Sequence, residues 1–264
     1  MPYELLSTLD SWIHGSSLRK RSDEKLLNLY LKCRTGIFIK RNSVQNRRMT
    51  ATSRRSASCC APCSTAIIEW MVGEGLRPGI FFSNSNIVPF REYSIRRDEL
   101  VRYAAAHGLE TIDDEYDHAA WLSFVRRLPH IADMPERGPR CLECFRFRLL
   151  RAARYAATHG YTLLTTTLAS SRWKDLEQVD AAGRWACETV NASLVMPDND
   201  LLSKHCPDAV SDNVQVSAVR HQTRVLWWSQ NWRRGGLQER RNDLIKEWGM
   251  YNQTFCGCEF SERH

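Results

Sequence analysis

Apolar positions change their spacing several times along this 264-residue chain, and each change predicts an element. Residues 64–74 carry a helical stripe, with Ser64 read as the N-cap and Gly75 near the end. Gly79-Ile80-Phe81-Phe82 is a short apolar run of the kind found in buried strands, and the polar loop Ser83-Asn84-Ser85-Asn86 follows it. Helical spacing returns over 93–106 and stops near Gly108. A short strand is expected at Thr111 and Ile112, then a helix over 118–127. Residues 129–139 are rich in breakers and read as a loop. Beyond it come a long helix over 141–159 closed by Gly160, a threonine-rich strand over 161–168, a helix over 175–190, a strand over 225–228 and a last helix over 238–248. Strands alternating with helices predict an α/β fold: three layers, a mostly parallel sheet, and helices on both faces.

Two stretches stand outside this rhythm. Residues 1–52 form a basic N-terminal extension with one amphipathic helical pattern around 24–32, and 193–224 read as an irregular insertion. The catalytic α/β domain is therefore expected to span 53–264. Charge sharpens that division. The chain's net charge is +7, yet residues 1–58 hold 12 Lys and Arg against 4 Asp and Glu, so the remainder is nearly neutral. A basic arm suits the phosphates of a nucleic acid, and a solvated leader is the plainer reading. Arginines also cluster at Arg140, Arg146, Arg148, Arg151 and Arg154 and again at Arg233, Arg234, Arg240 and Arg241, as a polyanionic substrate would require. No apolar run approaches the roughly 18 residues of a membrane span, and the first residues lack a secretory pattern. The expectation is a cytoplasmic protein with no membrane partner.

The chemistry sits in the cysteines. Seven of the ten fall into three tight groups: Cys59-Cys60-Ala-Pro-Cys63, Cys141-Leu-Glu-Cys144 and Cys256-Gly-Cys258. Several thiolates without a histidine partner favour an iron–sulfur cluster or zinc over a hard cation. A disulfide framework fits poorly, since a chain of this length builds a sufficient core. Adjacent side chains diverge, so Cys59 and Cys60 are expected to serve two neighbouring sites, with Cys63 returning to their face one helical turn on. Pro62 suits an early helical position. Cys141 and Cys144 open a helix, where the amino terminus favours thiolate. Gly257 frees the backbone for Cys256 and Cys258 to face one way, as a ligand pair or a redox dithiol. Cys33, Cys187 and Cys206 read as incidental. Nucleotide hydrolysis is disfavoured, because no phosphate-cradling glycine loop is present. The acidic loop of Asp113, Asp114, Glu115 and Asp117 reads as a solvated turn. These features leave open a zinc-stabilised RNA-binding module without catalysis, or a sulfur-transferring tRNA enzyme. The first does not explain the vicinal pair, and the second normally needs nucleotide activation.

CCAPCS at 59–64, RCLECFRFRL at 140–149, TTTLASSRWKD at 165–175, NWRRGG at 231–236 and YNQTFCGCEFS at 251–261 resemble, in order, the motifs of the QueH family of epoxyqueuosine reductases. SNSNIVPFREY around Asn86 and the Glu115-Tyr116-Asp117 segment resemble that family too. The resemblance implies an oxidoreductase on a Rossmann-like, nucleotide-hydrolase-like α/β fold. It would reduce epoxyqueuosine in the tRNA anticodon to queuosine, with electrons from an unidentified donor. It implies a 4Fe-4S cluster and an additional mononuclear iron, held among Cys59, Cys60, Cys63, Cys141, Cys144, Cys256 and Cys258. Cys59, Cys60, Cys256 and Cys258 are then the catalytic candidates. Arg140, Arg146, Lys174, Arg233 and Arg234 are the expected phosphate contacts, since a planar guanidinium pairs with phosphate oxygens. Trp173, Trp227, Trp228 and Trp232 are candidates for stacking on unpaired bases. The chain departs from the family where an apolar strand normally runs into the vicinal cysteines. Ser53-Arg54-Arg55-Ser56-Ala57-Ser58 is polar and predicts a poor strand.

Overall fold

Phe81 points one way and its neighbours Ile80 and Phe82 the other, and the two largest apolar clusters among the described residues form on either side of that alternation. Phe81 joins an apolar cluster with Ile67, Met71, Phe145 and Leu149, while Ile80 and Phe82 join another with Ile68, Tyr93, Leu100 and Leu244. A strand buried on both faces reads as a continuous apolar run, which is why Ile80-Phe81-Phe82 shows no alternation in sequence. A computed structural model describes residues 53–58, 60–195 and 223–261, all within one compact unit. The extension over 1–52, the bulk of the irregular stretch at 196–222, Cys33, Cys59 and Cys206 lie outside the described residues.

The elements alternate as expected: β1 Ser53–Ser58, α1 Ala61–Gly73, β2 Arg77–Phe82, α2 Phe90–Ala106, β3 Thr111–Asp113, α3 His118–Val125, α4 Pro139–Thr158, β4 Leu163–Leu164, α5 Leu176–Val195, β5 Leu226–Trp227 and α6 Leu237–Glu247. Two 3-10 turns, Ile131–Asp133 and Thr167–Ser170, interrupt the series. The described strands make two parallel sheets, β1-β2-β3 and β4-β5, and β1 also lies against β4.

Three expectations change. Helix α1 starts at Ala61, not Ser64: Cys60 is its N-cap in an extended conformation, Pro62 sits in the first turn, and Ser64 donates back to the Cys60 carbonyl at 2.7 Å. Proline supplies the nucleus that a capping serine was expected to give. The polar run Ser53–Ser58 does form a strand, pairing with β2 from Ser53 opposite Arg77 to Ser58 opposite Phe82. Backbone pairing with an apolar neighbour overrides weak local propensity. The threonine-rich stretch keeps only two strand residues, because Thr166 accepts from the Leu168 amide and turns the chain.

Helix α4 packs most extensively on α5. Ala152, Ala153, Ala156 and Ala157 of α4 share a cluster with Ala182 and Ala186 of α5, and such small side chains let two helices approach closely. That packing fixes α4, whose first two turns carry Cys141 and Cys144. Bonds from α1 to the turn after β4, Ser64 Oγ to Thr167 Oγ1 at 3.1 Å and Ser170 Oγ to the Cys63 carbonyl at 2.9 Å, bring the ends of β1 and β4 together.

Candidate active site

Two neighbouring cavities open where these strand ends meet. The smaller is bounded by Cys141, Cys256, Cys258, Arg137, Arg140, Phe145, Trp173 and Lys174. The larger, a cleft of about 140 Å³, is lined by Cys63, Ser170, Ser171, Arg172, Trp173, Lys174, Arg241, Gln253 and Cys256, among others. Cys256, Trp173 and Lys174 belong to both. All seven described cysteines are thiols.

Cys141 and Cys144 lie one turn apart at the start of α4. Cys144 and Cys258 are buried in an apolar cluster with Trp121, Val125 and Ile131, against which Cys256 and Phe260 pack. Burial pushes the Cys144 thiol up to about 11, and the neighbouring Cys256 and Cys141 add to the shift while Arg148 opposes it. Cys141 is also raised, chiefly by burial, against the pull of Lys174 and of the Arg137 amide, which donates to its sulfur at 3.3 Å. The helix terminus was expected to favour thiolate here; desolvation of the site outweighs it. Cys258 is pushed upward by its close contact with Cys256 and then by burial. Lys174 Nζ donates to Cys256 Sγ at 2.8 Å.

The chain segment bearing Cys256 and Cys258 is held from two sides. Val88 N–H donates to the Gly257 carbonyl at 2.8 Å. Arg96 donates to the Cys256 carbonyl at 2.9 Å and is itself paired with Glu92 inside the protein. Gly257 adopts φ +101°, and a side chain there would meet the Arg96 guanidinium at 3.0 Å. Glycine meets both demands, a positive φ and a close neighbour.

The loop over 83–86, expected to be a polar connection, is fully buried and acts as a hub. Arg148, on the same helix as Cys144, donates to the Ser83 carbonyl at 2.9 Å and to Asn84 Oδ1. Ser83 donates to Asp114 at 2.6 Å, and Arg151 pairs with the same carboxylate. Ser85 meets the Asp117 amide and His118, and Tyr116 donates to the Ile87 carbonyl. The acidic loop is therefore bonded structure; Asp113 accepts from Tyr93 and Asp117 caps α3.

The expected residues fall in different places. Cys141, Cys144, Cys256 and Cys258 come together. Cys63 shares the cleft with Cys256, and the buried Cys60 thiol accepts at 2.7 Å from Nε2 of Gln253, which lines that cleft. Cys187 is remote, buried within α5, where desolvation raises it to about 12. Among the described residues no three His, Cys, Asp or Glu side chains form a ligand set for one metal ion. Arg140 is only 2 % exposed, donating to the Ile131 carbonyl with Phe260 stacked 4.6 Å away. Arg146 pairs with Glu143 and lies over Trp185. Arg233 clamps the carbonyls of Ser171 and Lys174, and Arg234 is exposed. Trp173 is 65 % exposed at the rim of both cavities, whereas Trp232 is buried and donates to the Thr166 carbonyl. Sequence reasoning missed Gln253, Arg96 and the hub role of Arg148. The signal existed: Arg96 and Arg148 occupy core-facing positions between Tyr93 and Leu100 and between Phe145 and Leu149.

On this α/β scaffold, thiols from distant stretches thus meet beside a cleft lined by basic and polar side chains. A family model described as epoxyqueuosine reductase QueH matches residues 57–200 and 201–264. Proteins named epoxyqueuosine reductase QueH from Histophilus somni and Haemophilus influenzae are each 34 % identical over 206 residues, which is 78 % of this chain and 70 % of theirs. The protein of that name from Acinetobacter baylyi is 33 % identical over 206 residues, 78 % of either chain. This chain belongs to the QueH family.

Proposed function

We propose that this chain is an oxidoreductase that reduces epoxyqueuosine in a tRNA anticodon to queuosine, working at the cleft between Cys63 and Cys256. The observation that carries the reading is the meeting of thiols from distant stretches around two adjoining cavities that share Cys256 and Lys174. The reaction removes one oxygen as water: two electrons and two protons enter, two C–O bonds break and a C=C bond forms.

The donor set fits an iron–sulfur group. Cys141, Cys144, Cys256 and Cys258 are soft ligands close enough to shift one another, with the cations of Lys174, Arg148 and Arg140 nearby to balance an anionic cluster. These four thiols would hold a multi-iron cluster, a different demand from the single-ion ligand set that is absent among the described residues. Cys60 and Cys63, with the vicinal Cys59, are assigned to the additional iron. When bound, the iron supplies electrons and Lewis acidity for the departing oxygen.

The chain's own residues do the rest. Lys174 places a positive charge between the cavities, where oxygen leaves carbon and negative charge grows. Gln253 orients Cys60. Arg146, Arg233 and Arg234, with Arg172 and Arg241 at the cleft, face the RNA backbone, while buried Arg140 fixes the loop at Ile131. Exposed Trp173 offers a stacking surface. The two parallel sheets are read as one Rossmann-like, three-layer sheet, supported by the contact of β1 with β4 and by apolar clusters on both faces of β2. The basic segment over 1–52 is read as an arm for RNA, and the electron donor as a separate protein or small reductant.

Anaerobic reconstitution with iron and sulfide, followed by single-turnover reduction of tRNA bearing epoxyqueuosine, tests the assignment. Conversion to queuosine is the expected result. Iron-loaded protein that binds the RNA and leaves the epoxide intact would overturn it.

A further inference from the structure

A third cavity, of about 200 Å³, lies beyond the ends of β4 and β5, and the reaction assigned above makes no use of it. Thr165, Thr166, Ala169, Leu176, Val179 and Trp227 form its interior; Glu177, Asp180, Ser229, Gln230 and Asn231 complete it. The site is next door to the cleft along the chain. Ala169 belongs to this cavity and Ser170 to the cleft; Lys174 belongs to the cleft and Leu176 to this cavity. The dividing wall is the segment that Arg233 clamps through the carbonyls of Ser171 and Lys174.

We infer that this cavity receives one unpaired base of the tRNA, that of a nucleotide flanking the epoxyqueuosine. The inference rests on the tRNA-reductase reading. Three features point to a base rather than a phosphate. Glu177 and Asp180 line the cavity; Asp180 is paired with Arg184 and with Trp227 Nε1, and the Glu177 carboxylate repels phosphate while accepting from ring N–H and amino groups. Polar groups complete the lining: Thr165, only 1 % exposed, Ser229 and Gln230 offer hydroxyl and amide groups to the edge of a base. Trp227 presents a rigid aromatic wall, with its Nε1 tied to Asp180 at 2.6 Å and its ring packed on Gly183. Stacking plus edge hydrogen bonds is how proteins recognise splayed, single-stranded bases. The volume is smaller than the roughly 300 Å³ at which drug-sized sites begin, as suits one planar heterocycle. The arginines that would meet the phosphates, Arg233 and Arg234, follow directly from the cavity's Asn231.

The test is a cycle of RNA and protein changes on the reconstituted full-length enzyme. Anticodon stem-loops bearing epoxyqueuosine are prepared intact and with an abasic site at each flanking position in turn. Wild type should show a KM raised about tenfold for one of the two abasic RNAs, the scale of losing one stacked base. Gln230→Ala and Ser229→Ala, both on a loop, should raise KM for intact RNA several-fold and shrink that abasic penalty, because base and side chain act together. Neither abasic RNA altering KM, or penalties that simply multiply, would overturn the inference. So would free nucleosides competing with turnover while the abasic RNAs behave like intact RNA. If wild type fails to reduce intact RNA, the reaction assignment fails instead, and the same cycle read by anisotropy of labelled RNA still decides the base pocket.

Discussion

Gly257→Ala isolates how the Cys256–Cys258 segment is held. The residue sits at φ +101°, where a side chain costs about 1–2 kcal/mol in backbone strain. The new methyl would also stand 3.0 Å from Arg96 Nη1 and 3.2 Å from Ile87 Cγ1. Arg96 cannot yield readily: it is buried and fixed by Glu92 and by the Cys256 carbonyl. Overpacking adds about 1–2 kcal/mol, for a total near 2–4 kcal/mol. Gly235→Ala is the control, because its φ of +69° is also positive but nothing lies within 4 Å of the added carbon. It should lose only the backbone share, about 1 kcal/mol. Urea unfolding of both metal-free variants under reducing conditions reads the difference. At roughly 2–4 °C per kcal/mol, Gly257→Ala should also lower Tm by about 5–15 °C. Equal losses in the two variants would refute the claim that Arg96 and Ile87 press on this turn.

Three other outcomes follow from the same contacts. Arg148→Met removes the guanidinium bonds to the Ser83 carbonyl and Asn84, and should cost about 2–4 kcal/mol in urea unfolding; a loss under about 0.5 kcal/mol would contradict the hub role of the 83–86 loop. Gly183→Ala should destabilise by about 1–3 kcal/mol, although alanine normally favours a helix interior, because the methyl would lie 2.2–2.4 Å from the Trp227 indole; near-ultraviolet dichroism should report the displaced ring. Arg240 holds the Glu69 carboxyl below its ordinary value of 4.5. The folded-state value is depressed, so this pair's stabilisation is present above that ordinary value and fades as pH falls through the lower folded one. Glu69→Gln should therefore narrow the stability difference between neutral pH and pH about 4 only slightly, since both partners are substantially solvent-exposed, and salt should erase the effect.

Much of the architecture was legible because packing and spacing agree. The apolar run of β2, the stripes of α2 and α4 and the closing glycines at 108 and 160, both at positive φ, appear where the pattern put them. Boundaries failed where backbone pairing or a local turn decides, as at Ser53–Ser58 and at Thr166. In the site, the grouped cysteines announced themselves by spacing, and four of them meet. Arginines were harder to read. A positive charge in sequence looks the same whether it faces RNA or, like Arg96, Arg140 and Arg148, satisfies buried carbonyls. Only the position of each on its helical stripe distinguishes the two. Gln253 carries no such mark, and its bond to Cys60 depends on a contact 193 positions apart in sequence.

The central claim is that Cys141, Cys144, Cys256 and Cys258 together hold an iron–sulfur group. Iron and acid-labile sulfide should be measured anaerobically in reconstituted wild type and in the four single serine variants, with electron paramagnetic resonance after reduction. The account predicts iron and sulfide in roughly equal amounts in wild type, a reduced-cluster signal, and loss or alteration of both in each variant. Zinc without sulfide in wild type, or a cluster signal unchanged in all four variants, would contradict it.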